Sequence, residues 1–121
     1  MDAKEKIKEG VQLYFDSMYE SDPQKVRQAF HSNAMITGDL ETGLAEMSVV
    51  QFAEFVESQN PSPKEKGDEI LLEIVSCDIA GLTASVSLRD GYIGHVFLDT
   101  LSFLEKDGEW KIYNKLFHVE S

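Results

Sequence analysis

The sequence predicts an α+β domain in which three N-terminal helices pack on one face of a curved antiparallel sheet, and three observations predict it. Apolar residues recur at helical spacing through the first half of the chain, and after Gly67 the pattern changes to period-2 runs. Asp107-Gly108 between two such runs is a strong signal for a two-residue hairpin turn. Helices followed by a strand meander give a segregated α+β architecture, not alternating units. At 121 residues the chain reads as one domain, residues 1–121, able to bury roughly two-thirds of its unfolded surface without disulfide or metal support.

Ile7, Val11, Tyr14 and Met18 mark the inner face of a first helix over residues 3–20. Asp22-Pro23 starts a second, because Asp22 can accept from free amides and proline suits the first helical position, which needs no donor. Val26, Ala29 and Phe30 form its inner face, with His31 at its C-terminus, where partial positive charge complements the helix dipole. Residues 34–37 make a short strand, and Gly38-Asp39 and Thr42-Gly43 signal a loop. Ser48 and Gln51 fit a capping box for a third helix, which carries Phe52, Phe55 and Val56 and ends before Asn60-Pro61-Ser62-Pro63. Strands are expected over 69–80, 82–89, 93–105 and 109–119, divided at Gly81, Asp90-Gly91 and Asp107-Gly108.

Charge excludes some functions. With 22 Asp and Glu against 11 Lys and Arg, and a net charge of −11, the chain repels phosphate backbones and anionic membrane surfaces, so neither nucleic acid nor membrane is an expected partner. The charged start, Met1-Asp2-Ala3-Lys4-Glu5-Lys6, is unlike a signal peptide, and no apolar run approaches the ~20 residues of a membrane span. A cytoplasmic protein is expected. The single cysteine, Cys77, reads as a strand thiol. His31, His95 and His118 show no metal-ligand spacing, no glycine loop fit to cradle phosphate is present, and no metal or cofactor is called for.

The most informative residue is Asp99. In period-2 register it shares a face with Phe97, Leu101 and Phe103, and a carboxylate among such neighbours is costly unless it is hydrogen-bonded or takes up a proton. A two-residue turn at Asp107-Gly108 pairs Phe103 with Ile112, Leu101 with Asn114, Asp99 with Leu116 and Phe97 with His118. It also makes Asn114 a diagonal donor for Asp99. A three-residue loop would instead set Lys115 across from Asp99. Asp99 then has two readings: a carboxylate that fixes the hairpin, or a proton donor or acceptor facing a ligand. Tyr14 points inward from the first helix, as a core tyrosine or as a partner of that site. His118 sits at the pocket rim or in solvent.

The run Leu98-Asp99-Thr100-Leu101-Ser102-Phe103-Leu104, followed by Asp107-Gly108-Glu109-Trp110-Lys111-Ile112-Tyr113-Asn114-Lys115, resembles the nuclear-transport-factor-2-like (SnoaL-like, cystatin-like cone) superfamily, most closely its branch labelled "putative lumazine-binding". Phe30-His31 and Ala34 fit as well. The resemblance implies three helices on a highly curved, cone-shaped antiparallel sheet with a pocket at its open end, and homodimers that pair through the outer sheet face. It makes a small organic molecule the expected ligand. Tyr14 and Asp99 are the candidate catalytic residues, and Asn114, His118, Leu101, Phe97, Leu116 and Phe30 the candidate ligand-binding ones.

In the steroid-isomerase members, a first-helix tyrosine and a protonated strand aspartate hold an oxyanion. Tyr14 and Asp99 fall at those places, but Gly38 stands where the isomerase base would be, with Asp39 one residue on. SnoaL-like cyclases likewise use a strand aspartate. The alternatives to a binding domain are therefore an isomerase, dehydratase or cyclase acting on a carbonyl compound with Asp99 as acid or base, and an interaction module using Lys111, Tyr113 and Phe117.

Overall fold

Ile7, Val11, Tyr14 and Met18 form the buried stripe of helix α1 (Ala3–Tyr19), which begins where the Asp2 carboxylate accepts from the Glu5 N–H at 2.9 Å. The computed structural model describes residues 2–121. Asp22 caps helix α2 (Pro23–Ala29) by accepting from the amides of Gln24 and Lys25. The Ser48–Gln51 capping box opens helix α3 (Val49–Ser58). A single turn, α4 (Pro63–Lys66), follows on a second capping box from Ser62 to Glu65. No helix among the described residues is long and apolar enough to cross a membrane.

Six strands make one sheet: β1 (Phe30–Leu40), β2 (Gly43–Ser48), β3 (Leu72–Ala80), β4 (Thr83–Tyr92), β5 (His95–Lys106) and β6 (Glu109–Val119), in the order β2-β1-β6-β5-β4-β3. The expected highly curved antiparallel cone is corrected here. The sheet is open, with free edges at β2 and β3, and is neither closed nor strongly curled. It is also mixed, because β1 lies parallel to β6 while the other neighbours are antiparallel. The physical reason lies in residues 30–48. They form two paired strands where the sequence suggested a helix end, a four-residue strand and a loop, and the first of the two lies beside the last strand instead of extending the meander. Phe30 and His31 accordingly belong to the start of β1, with the His31 ring 4.8 Å from that of Tyr113.

Two further boundaries differ. Asp90-Gly91 is not a turn, since β4 continues to Tyr92 and turns at Ile93-Gly94, both at positive φ (44° and 83°). The inner-face alternation Ala84, Val86, Leu88, Asp90, Tyr92 carries the strand through that dipeptide, and Gly91 donates to the Leu71 carbonyl at 3.0 Å. Asp107-Gly108 does form the two-residue turn, with Lys106 opposite Glu109 and Phe103 opposite Ile112. A bulge at Tyr113 then shifts the register by one, so that Leu101 pairs with Lys115, Thr100 with Leu116 and Asp99 with Phe117. One extra residue sends every later side chain of β6 to the opposite face.

Ile7, Val11, Tyr14 and Met18 of α1 pack with Phe52 and Val56 of α3 against Val86, Leu88, Leu101, Phe103 and Ile112 of the sheet. This core closes one end of the space between helices and sheet. The other end stays open, and the site lies there.

Candidate functional site

Between α1, α3, the β1–β2 hairpin and the inner faces of β4, β5 and β6 lies a cavity of about 840 Å³. Its walls are mostly apolar, with Met18, Met47, Phe52, Phe97 and Phe117 among them, and its mouth runs past Leu40, Ile93 and the C-terminal residues. Phe97 and Phe117 meet edge to face at 6.0 Å. At its inner end four polar side chains converge from four elements: Tyr14 of α1, Asp90 of β4, Asp99 of β5 and Lys115 of β6. All are buried, at 0, 1, 2 and 6% exposure respectively.

The β4–β5 register sets Leu88 opposite Asp99 and Phe97 opposite Asp90, which makes the two aspartates diagonal neighbours on the inner face. The Tyr14 hydroxyl donates to Asp99 Oδ2 at 2.6 Å and lies 3.5 Å from Asp90 Oδ2. Its one proton thus goes to Asp99, a short charge-assisted bond. Oδ1 of Asp90, Oδ1 of Asp99 and the Tyr92 hydroxyl are buried without a partner. The Lys115 ammonium lies 4.8 Å from the ring centroids of both Tyr14 and Phe52 and 5.5 Å from that of Phe117. Among the described residues it forms no ion pair.

Burial chiefly, with the Asp99 carboxylate beside it, pushes the Asp90 carboxyl up to about 8, and Lys115 and Tyr14 only partly oppose this. Tyr14 is held well above its ordinary range, first by burial and then by the two neighbouring carboxylates, and burial likewise raises Tyr92. At neutral pH one proton therefore resides on the acid pair, and both tyrosines keep theirs. The arrangement can accept a hydrogen bond at Asp99, donate one from Asp90, and offer a cation at Lys115.

Among the residues expected to form the site, Tyr14 and Asp99 meet directly, and Phe97 lines the cavity. Phe30 lies behind Tyr14, edge to face at 5.9 Å, and Leu101 is wholly buried in the core. The Tyr113 bulge places Asn114 opposite Ser102 and Leu116 opposite Thr100, the latter half-exposed, both away from Asp99. His118 is exposed at the cavity mouth. Gly38 faces inward opposite Phe117, and a side chain built there would overlap the Phe117 ring, so aromatic carbon occupies the place of the isomerase base. Asp39 is exposed at the mouth. No cluster of three or more His, Cys, Asp or Glu able to hold a metal ion occurs among the described residues.

Asp90 was not expected here, and Lys115 was expected near Asp99 only under the alternative of a three-residue loop. Asp90 was legible, since it continues the alternation of Ala84, Val86 and Leu88, but its glycine neighbour imitates a turn. Lys115 reaches the inner face only through the bulge, which leaves no signature in the sequence.

Helices on one face of a six-stranded sheet, with a polar cluster at the blind end of an apolar cavity between them, define a nuclear-transport-factor-2-like protein. The chain belongs to the family described as "Putative lumazine-binding", which it matches over residues 2–118. It is similar in fold to a nuclear-transport-factor-2-like protein of unknown function from Silicibacter pomeroyi, at TM-score 0.88 and 22% identity, covering 99% of this chain and 100% of that one. A protein of the same description from Shewanella baltica aligns at TM-score 0.84 and 26% identity, covering 98% and 94% of the two chains. One from Methylobacillus flagellatus aligns at 0.85 and 23%, covering 100% and 96%. No curated protein matches the chain.

Proposed function

We infer that the chain is a small-molecule-binding domain whose ligand enters the cavity above Asp90 and Asp99. The observation that carries this reading is the set of three unpartnered buried polar atoms at the end of an otherwise apolar cavity. A buried polar group without a partner costs about 1–3 kcal/mol, a deficit that ligand donors would remove. Tyr14 and Asp99 serve here as binding residues, His118 as a residue of the rim. Lumazine, named in the family's description, is one candidate ligand. The test is native mass spectrometry of protein purified without denaturation. A small organic molecule is expected to leave on unfolding, and to be retained far less by Asp99→Asn. Equal retention by that variant would contradict the assignment.

A proton-transfer enzyme is the second reading, favoured by the raised Asp90 carboxyl, which makes Asp90 the stronger candidate acid beside Asp99. Homodimers through the outer sheet face are also proposed, because Leu98, Tyr113 and Leu116 are exposed there at 37, 39 and 50%. Sedimentation equilibrium at micromolar concentration is expected to give the dimer mass, and a monomer would count against it.

A further inference from the structure

Resting on the reading of the cavity as a ligand site, we propose that the Lys115 amine forms a Schiff base with an aldehyde or ketone bound there, the acid pair Asp90 and Asp99 moving the protons. Lys115 is the only buried lysine among the described residues. Its ammonium lies against the rings of Tyr14, Phe52 and Phe117, with no carboxylate at ion-pair distance among those residues. A lysine is almost never buried without such a partner, and an amine set among apolar groups is the kind that attacks carbonyl carbon.

The register puts the other two groups where the chemistry needs them. Leu101 stands opposite Lys115 and Phe117 opposite Asp99, so Lys115 and Asp99 are diagonal neighbours, as Asp99 and Asp90 are across the next pair of strands. The three side chains thus run in one diagonal over β6, β5 and β4 at the blind end of the cavity. One oxygen of each aspartate has no hydrogen-bond partner among the described residues and is free to exchange a proton with a ligand. The pair holds one proton and one negative charge, and so offers an acid and a base together.

The ammonium gives one proton to the carboxylate of the pair. The nitrogen lone pair then forms the N–C bond while the C=O π pair moves onto oxygen, which takes a proton from the pair. Nitrogen returns a second proton to the pair, and the C–O bond breaks as the hydroxyl takes that proton and leaves as water. Ammonium and carbonyl have become iminium and water, the pair ends as it began, and nothing is oxidised or reduced. The walls of Met18, Met47, Phe97 and Phe117 select a carbonyl compound with an apolar body. Held there, its carbonyl meets the amine at an effective concentration far above that in solution, which favours condensation at Lys115 over the exposed lysines.

The test treats the full chain at pH 7 with equimolar para-isopropylbenzaldehyde and sodium cyanoborohydride, whose hydride reduces an iminium to a secondary amine. The protein is expected to gain one adduct with the mass of the aldehyde less its oxygen. Peptide mapping is expected to place it on Lys115, formed at least about tenfold faster than on any exposed lysine. Lys115→Met removes an ammonium without an ion-pair partner, is expected to stay folded, and is expected to be labelled only at the slow rate of the exposed lysines. Asp90→Asn leaves a single carboxylate that cannot be acid and base at once, and is expected to slow labelling of Lys115 at least about tenfold. Shifts of the Phe117 ring resonances by the aldehyde alone are expected to persist in that variant, and thermal melts check the folding of both.

Labelling of Lys115 no faster than that of the exposed lysines, with the Phe117 resonances shifted, would overturn the Schiff-base assignment and leave the ligand site standing. An unchanged rate in Asp90→Asn would overturn the part given to the acid pair. If the aldehyde neither shifts those resonances nor labels Lys115, the Schiff-base assignment falls. In that case, release of a small organic molecule in the mass-spectrometric test would leave the site intact, and release of none would remove both.

Discussion

Asp90→Asn is expected to raise the midpoint of thermal unfolding at pH 8.5 by about 10 °C and to remove most of the wild-type dependence of stability on pH between 5.5 and 8.5. The Asp90 carboxyl is held near 8 in the folded chain against an ordinary value of 3.8. Between those limits the native state carries a proton that the unfolded state has lost. The unfolded chain binds fewer protons, so stability falls as pH rises through this window. The favourable contribution is complete below about pH 4 and is gone above about pH 8. At about 1.4 kcal/mol per pH unit the ceiling is roughly 6 kcal/mol, and sharing of the charge with Asp99, Tyr14 and Lys115 brings the expected effect to about 3. Asparagine keeps the shape and the neutrality of the protonated acid. Differential scanning calorimetry across the pH range checks this, and parallel profiles for the two proteins would contradict it.

Tyr14→Phe is expected to cost about 2 kcal/mol at pH 7, because it removes the 2.6 Å bond to Asp99 and leaves that carboxylate without its donor. The loss is not simply that of a hydroxyl. With Asp99→Asn in the background, the same change meets an amide and no longer strands a charge, so the double variant is expected to lose about 1–2 kcal/mol less than the sum of the single losses. Urea denaturation of the four proteins gives the coupling. Additive losses would mean that the phenol and the carboxylate do not act as a unit, and would weaken the case for a prearranged site.

Much of the helical half could be read directly. Asp22-Pro23 and the Ser48–Gln51 box fixed two helix starts because capping is local chemistry, satisfied within three residues. The last four strands were legible as runs and as a meander, but the place of the first two in the sheet was not. Residues 30–48 look loop-like because Gly38, Asp39 and Thr42-Gly43 interrupt them, yet Gly38 lies inside β1, where its missing side chain makes room for Phe117. The parallel pairing of β1 with β6 is a tertiary choice that no short window contains.

The site shows the same division. Tyr14 and Asp99 follow from helical and strand periods counted over a few residues, and the two meet. Asp90 follows from the same strand period once Asp90-Gly91 is not taken for a turn. Lys115, Leu116 and Asn114 depend on a single bulge at Tyr113, and that one residue decides whether a lysine or an asparagine faces the acids. The charge balance of the cavity thus rests on a backbone irregularity, whereas its apolar walls rest on pattern.

Carboxyl carbon NMR titration of protein labelled at aspartate, assigned with Asp90→Asn and Asp99→Asn, addresses most directly the claim that an acid pair enclosed in an apolar cavity retains a proton at neutral pH. The Asp90 resonance is expected to titrate with a midpoint near pH 8. A midpoint near the ordinary aspartate value, about 3.9, would show a solvated, fully ionised pair and contradict the account.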